Sequence, residues 1–360
     1  MIRVLIVDDS PVARELLEHL LNADPEIDVV GCAADGVEAL AFLARSSPDL
    51  ITMDVRMPGM DGFETTRRIM NEHPIPVVIV TESVDPKLDA TVFRALEAGA
   101  LAILRRPPGV DHPDHGQAAA ELVRTVKLMS EVRVVRRGAW ARPVPPPLSA
   151  SRVPPVVRSG VEVVAIGASA GGPIAVRSIL SALPRDFPAP LLVVQHMAQG
   201  FTEGFVEWLA GYCALRVKVG EDGEPLLPGT AYLAPGGVQM GVDPLGRIRL
   251  TPGGPGQIHC PSVSHLFNSV ARVYGRHAIG VLLSGMGGDG AEGMREIRAR
   301  GGVTIAQDSE SSVVYGMAAE AVKLKGVQHL LPPERIVLLL NSLAGGQGSG
   351  AHGSASKEVP

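Results

Sequence analysis

Val161-Glu162-Val163-Val164-Ala165-Ile166-Gly167-Ala168-Ser169-Ala170-Gly171-Gly172 runs from a β-branched apolar stretch into a bend of small residues, and the helix-like stretch Pro173 to Leu183 follows. An apolar run, a glycine-rich bend and a helical pattern make one strand-turn-helix unit of an α/β sheet. In such a bend the Ser169 hydroxyl is pushed out of the sheet, while amides opening the next helix point toward any negative charge formed nearby. Two readings fit the turn taken alone: a serine nucleophile on an elbow, or a glycine-rich loop cradling a dinucleotide.

The same rhythm continues on both sides of this unit. Downstream, Pro190 to Gln195, Ala231 to Ala234, Ala278 to Ser284 and Val303 to Gln307 read as further strands, and Gly237 to Thr251 as a hairpin turning at Asp243-Pro244-Leu245-Gly246. Upstream, Val4 to Val7, Val29 to Cys32, Leu50 to Met53, Val77 to Val80 and Ala102 to Leu104 are short buried-strand runs separated by helical patterns. The spacing predicts two α/β domains, over residues 1–130 and 160–343. Between them, residues 131–159 are rich in proline and arginine and read as a semi-rigid, solvated spacer. Residues 344–360 are mostly glycine, serine and alanine with scattered charge and read as a disordered tail.

At 360 residues the chain is long enough for two cores. A net charge of −5 gives no reason to expect nucleic acid or an anionic membrane as partner. The three cysteines, Cys32, Cys213 and Cys260, are odd in number and widely spaced, which fits free thiols in the cytoplasm rather than a disulfide or zinc framework. Met1 to Val7 leads straight into acidic residues without a secretory pattern, and no apolar stretch reaches membrane-spanning length.

Asp8 and Asp9 follow the first strand and Asp54 ends the third, so a parallel sheet brings three carboxylates to its carboxyl edge. Carboxylates this close repel unless a hard cation neutralises them, and oxygen ligands with bound water suit Mg²⁺. Helix capping is the competing explanation, with Asp9 as N-cap of the helix near Pro11, and it accounts for one acid rather than three. Asp54-Val55-Arg56-Met57-Pro58-Gly59-Met60-Asp61-Gly62, with Asp8-Asp9 before it and Thr81 closing the fourth strand, resembles a response-regulator receiver domain. The resemblance implies a flavodoxin-like, five-stranded parallel sheet. It also implies Asp54 as phospho-acceptor, Mg²⁺ on Asp8, Asp9, Asp54 and the carbonyl of Arg56, and Thr81 touching the phosphoryl group. That family has lysine where Arg106 stands here; arginine keeps the charge but replaces an ammonium by a planar fork, so Arg106 becomes the second expected phosphoryl contact.

A serine nucleophile needs a base, and the base needs an orienting acid. His196 ends the second strand of the downstream unit, and Asp289 lies in Ser284-Gly285-Met286-Gly287-Gly288-Asp289-Gly290 beyond another strand; both belong to the sheet edge of Ser169. A strand-end histidine is often structural and an aspartate in a glycine-rich loop is often a turn former, but the three converge. The chain order Ser, His, Asp is not that of α/β-hydrolases. Gln195-His196 offers no acid for a ribose hydroxyl, which weighs against the dinucleotide reading, and Cys260 sits in a loop rather than at a strand-to-helix turn.

The motifs Gly167 to Gly172, Gln195-His196-Met197, Pro261-Ser262-Val263, Ser284 to Gly290 and Ser312-Val313-Val314-Tyr315-Gly316-Met317 are together similar to the catalytic domain of chemotaxis protein-glutamate methylesterases, the CheB family, whose members place a receiver in front. The resemblance implies a C-terminal doubly wound α/β domain with a β-hairpin. It implies Ser169 as nucleophile, His196 as general base and acid, Asp289 as its partner, and the backbone amide of Met286 as oxyanion donor, with no cofactor for the ester reaction. That family usually has threonine after the serine; here Ala170 offers its backbone amide alone. Gln239 stands where many members have histidine. Further implications are methyl-accepting chemoreceptors as substrate, a chemotaxis histidine kinase as phosphodonor, deamidation of receptor glutamines, a monomer, and a receiver that covers the catalytic edge until phosphorylated. The rivals are a phosphorylation-switched binding module without turnover and a DNA-binding response regulator. The latter is disfavoured because the output segment lacks a basic helix-turn-helix pattern.

Overall fold

The structure is a computed structural model that describes residues 1–82, 92–132, 134, 160–198, 200–254 and 259–345. The spacer reading, apart from its first residues, and the tail reading from residue 346 lie outside the described residues.

The N-terminal domain is a five-stranded parallel sheet in the order β2-β1-β3-β4-β5. Its strands are β1 (Ile2–Val7), β2 (Ile27–Ala33), β3 (Leu50–Met53), β4 (Val77–Thr81) and β5 (Ala102–Arg105). Around it lie α1 (Pro11–Asn22), α2 (Gly36–Leu43), α3 (Gly62–Glu72), α4 (Arg94–Ala98) and α5 (His115–Ser130). Val7 is in register with Met53 and Thr81 with Arg105. The next residues on the four strands are therefore Asp8, Asp54, Glu82 and Arg106, all at one edge. The cap of α1 is Ser10, whose hydroxyl accepts from the Ala13 N–H at 3.3 Å. Asp9 does not cap it, because Ser10 is the residue immediately before Pro11.

The C-terminal domain holds seven parallel strands in the order β14-β13-β12-β6-β7-β9-β8. They are β6 (Val163–Ala168), β7 (Leu191–Gln195), β8 (Arg216–Val219), β9 (Thr230–Leu233), β12 (Ala278–Leu282), β13 (Val303–Gln307) and β14 (His329–Leu331). A separate hairpin, β10 (Val238–Val242) with β11 (Ile248–Pro252), pairs antiparallel. Because side chains alternate across a pleated strand, Val164 and Ile166 of β6 enter one core with α6 (Gly172–Ser181), α7 (Thr202–Ala210) and α11 (Pro333–Ala344). Val163 and Ala165 enter the opposite core with α8 (Val263–Tyr274), α9 (Ala291–Ala299), α10 (Met317–Lys323) and the hairpin. Helices on both faces explain why the strands read as continuous apolar runs. From β6 the chain proceeds to β7 on one side and later returns as β12 on the other, so the crevice beyond β6 is where a doubly wound sheet binds its ligand.

The two domains pack on each other. Phe93, just before α4, packs at a tilt on Phe205 and stacks on Trp208 of α7, with centroids 5.1 and 5.6 Å apart. Glu97 of α4 accepts hydrogen bonds from Arg177 at 2.5 Å, Trp208 Nε1 at 3.1 Å and Tyr212 at 2.8 Å. On the other side, Ala170 and Val314 pack against the N-terminal core that includes Leu101 and Leu104.

Candidate active site

Ser169 is the first residue after β6, and its N–H donates to the Ser284 carbonyl at 3.0 Å. Gly171 takes φ +72° in the bend, a conformation that favours glycine. Gly285 must also stay bare, because a Cβ there would lie 2.8 Å from that of Ser169. Ala168 and Gln195 are in register, so His196 is the neighbour of Ser169 on the adjacent strand, and the His196 N–H donates to the Ala168 carbonyl at 2.9 Å. Gln195 Nε2 donates to the carbonyls of both Ser169 and His196, at 2.8 and 2.9 Å, tying the two strand ends together.

Asp289 meets His196 Nε2 at 2.9 Å through Oδ2. The rest of its carboxylate sits on the start of α8: Oδ2 accepts from Val263 N–H at 2.7 Å, and Oδ1 from Ser264 N–H and the Ser262 hydroxyl, both at 2.9 Å. Burial alone would push this carboxyl up, but the hydrogen bonds from His196 and the Ser264 N–H hold it well below the usual carboxylate range. Asp289 is therefore an anion at any working pH. The positive end of α8 adds to this. With Nε2 given to Asp289, Nδ1 is the ring nitrogen of His196 left for proton transfer. Among the described residues no hydrogen bond joins the Ser169 hydroxyl to that ring; catalytic hydrogen bonds are often looser before substrate binds.

The Met286 and Ala170 N–H groups are tied to no protein acceptor among the described residues, and both residues line the cavity that holds Ser169 and His196. Burial pushes the Cys260 thiol up, which leaves it a poor nucleophile. The cavity, about 830 Å³, is roofed by α5 of the N-terminal domain through Glu121, Arg124 and Leu128.

At the carboxyl edge of the N-terminal domain's sheet, carboxylate oxygens of Asp8, Asp9 and Asp54 lie within 4.8 Å of one another. Asp54 is pushed up to about 6, by burial first and by the charge of Asp8 second, against the pull of Arg106 and hydrogen bonds from the Val55 backbone and Thr81. A carboxylate cluster short of positive charge, made of oxygen donors alone, fits a hard cation such as Mg²⁺. The Arg106 guanidinium lies 2.9 Å from Asp8, 3.8 Å from Asp54 and 3.4 Å from Glu82. Its Nε is buried without a hydrogen-bond partner. Arg56 follows in the exposed loop after β3.

Sequence reasoning did not single out Ser264 or His259, and it named Gln195 without giving it the bridging role it has here. His259 lies flat against His196, with ring centroids 4.5 Å apart. Gln239, noted only as a departure, is buried; it donates to the His259 carbonyl at 2.8 Å and accepts from the Ser262 N–H at 2.7 Å, so it braces the loop in front of α8.

A receiver-like sheet joined to a doubly wound sheet with serine, histidine and aspartate at its edge defines a response regulator with an enzymatic output domain. Comparison with known proteins narrows this. A response regulator receiver domain profile matches residues 4–112 and a CheB methylesterase profile matches residues 164–340. The chain is 52% identical to protein-glutamate methylesterase/protein-glutamine glutaminase 1 of Syntrophus aciditrophicus over 96% of this chain and 99% of that protein. It is 49% identical to the protein-glutamate methylesterase/protein-glutamine glutaminase of Nitrosospira multiformis over 97% and 98%. The crystal structure of the Thermotoga maritima CheB methylesterase catalytic domain is 36% identical with TM-score 0.49, covering 51% of this chain and 98% of that one. The chain belongs to the CheB methylesterase family. Among the described residues, no helix is long and apolar enough to cross a membrane.

Proposed function

We propose that this chain is a phosphorylation-regulated serine hydrolase that removes methyl groups from glutamate γ-methyl esters of chemoreceptors and deamidates receptor glutamines by the same route. The observation that carries the reading is the His196–Asp289 pair at 2.9 Å, seated on the start of α8 beside the strand end that bears Ser169. Ser169 Oγ attacks the ester carbonyl while His196 Nδ1 takes its proton. The bond to methanol breaks, His196 returns the proton to the leaving oxygen, and water frees the acyl-enzyme by the reverse transfer. Asp289 stays ionised and supports the imidazolium. The N–H groups of Ala170 and Met286 receive the oxyanion, a contribution of about 3 kcal/mol per donor. With glutamine, ammonia leaves in place of methanol.

In the receiver, Asp54 accepts phosphate from a chemotaxis histidine kinase, with Thr81 and Arg106 as phosphoryl contacts. Asp8, Asp9, Asp54 and the Arg56 carbonyl hold Mg²⁺, which when bound supplies the positive charge that lets an anionic donor approach. The receiver roof over the cavity makes the unphosphorylated chain self-covered, and phosphorylation shifts the domain equilibrium toward an open edge. The protein acts as a cytoplasmic monomer and binds no nucleic acid.

The test is methanol release from methyl-labelled receptor membranes, with and without a small phosphodonor and Mg²⁺. Wild type should release methanol faster with the donor, and intact mass should show a phosphoryl gain absent in Asp54→Asn. Turnover persisting in Ser169→Ala excludes the assigned nucleophile, and stimulation persisting in Asp54→Asn excludes the switch.

A further inference from the structure

The reaction as derived uses one imidazole, yet the site contains two. The rings of His196 and His259 are stacked at 4.5 Å with their planes within 8°. His259 lines the cavity that also holds Ser169 and Met286. Its position is built rather than incidental. Gln239 ties the His259 carbonyl and the Ser262 N–H at once, and the Ser262 hydroxyl donates to Asp289. Base, orienting acid and second ring are thus braced by one buried amide.

Asp289 fixes only one edge of the His196 ring. Rotation about the bond to the ring would carry Nδ1 away from the serine, and a parallel ring against its face opposes that rotation. The charged and titratable groups facing His259 are His196 at the end of β7, Asp289 in the loop after β12 and Arg124 of α5 in the receiver. Burial first, then the charge of His196, keeps the His259 ring below the ordinary imidazole range against the pull of Asp289. A neutral π face beside an imidazolium attracts it, whereas a second cation would repel it.

We propose that His259 is a positioning residue: its ring face holds the plane of His196 so that the edge left free by Asp289 meets the Ser169 hydroxyl, and it supports the imidazolium formed when that hydroxyl is deprotonated. The proposal rests on the reading of Ser169 and His196 as nucleophile and base.

Three substitutions in the full-length chain, assayed for methanol release with the phosphodonor present, test it. His259→Ala and His259→Gln remove the aromatic face and should lower kcat about tenfold with KM little changed; His259→Phe keeps the face without ring nitrogens and should stay within about threefold of wild type. Glutamine and phenylalanine make the decisive pair if the alanine variant melts early. A kcat for His259→Phe as low as that of His259→Gln overturns the proposal, as does a wild-type kcat in His259→Gln or an effect confined to KM. Ser169→Ala runs alongside: turnover there defeats the nucleophile reading and this proposal with it, whereas an inactive Ser169→Ala with a failed His259→Phe defeats the proposal alone.

Discussion

Asp54 and Asp289 lie beyond the carboxyl ends of strands in two parallel sheets, and each side chain is 6% exposed, yet their carboxyls move in opposite directions. Burial pushes both up. At Asp54 a second carboxylate, Asp8, adds to the push and Arg106 offsets only part of it, leaving the group at about 6. At Asp289 the hydrogen bonds of His196 and the Ser264 N–H reverse it. Similar burial separates the two roles by what stands within hydrogen-bond reach. Asp289 has its hydrogen-bond donors supplied by the chain, which suits the proposed role of an acid that orients a base without changing its own state. Asp54 is short of positive charge, which suits the proposed role of a residue whose partners, a metal and a phosphoryl group, would come from solution.

The largest effect expected from breaking this contrast is at Asp289. Asp289→Asn keeps the shape but removes the charge and permits the wrong tautomer of His196, so methanol release should fall on the order of 10³- to 10⁴-fold. A loss of less than tenfold would mean that the charge is not what the site uses. Next is Asp54→Asn, read by urea denaturation without Mg²⁺. A carboxyl raised in the folded state stabilises the fold fully at pH below its unfolded value and loses that contribution as pH rises through about 6. Asp54 therefore costs up to about 3 kcal/mol at pH 7.5, where it is ionised in the folded chain, and about 1 kcal/mol at pH 4.5, where folding must protonate it. The asparagine variant should be more stable by that margin at pH 7.5, less so at pH 4.5, and the gap should narrow when Mg²⁺ is added. A gap that does not depend on pH would remove the charge shortage from the account.

Between the two domains, Glu97 accepts from Arg177, Trp208 and Tyr212 while Arg177 stacks over the Trp208 and Tyr212 rings at 5.1 and 4.9 Å. The cluster is partly exposed, so its ionic part is worth about 1 kcal/mol. Glu97→Ala should raise unphosphorylated methanol release roughly fivefold and shrink the stimulation by a phosphodonor in proportion. Unchanged basal activity would show that the aromatic contact of Phe93 holds the receiver in place by itself.

What could be read from the chain follows from how each feature is encoded. Asp8, Asp54 and Ser169 each follow a mostly apolar run and His196 stands one residue past one, after Gln195, so counting along the run places them at the sheet edge. The edge strands β8 and β14 escaped because Arg216–Val219 alternates charged with apolar residues and His329–Leu331 is only three residues long, giving neither a clear run. The support under Asp289 was half visible: Ser262 before an apolar, helix-periodic stretch is a capping signal, but that the opened helix points its amides at Asp289 is a matter of tertiary placement. The His196–His259 stack and the convergence on Glu97 join residues far apart in the chain through packing that no local pattern records.

The smallest expected effect sharpens the contrast from the Asp54 side. Arg106 is the nearest cation to the acidic cluster, and it lowers Asp54 while bonding chiefly to Asp8. Its planar fork comes with a cost, since Nε is left buried without a partner. Arg106→Lys keeps the charge and discards that orphaned group. It should therefore leave the Asp54 midpoint near 6 and stability within about 1 kcal/mol of wild type. Arg106→Gln removes the charge, so the midpoint should rise by about one pH unit, as read from the side-chain carboxyl carbon by NMR without Mg²⁺. If Arg106→Gln leaves Asp54 where it was, the high value comes from burial and the charge of Asp8 without an offset from Arg106, and the difference from Asp289 would then lie in the hydrogen bonds that Asp289 takes from His196 and the start of α8.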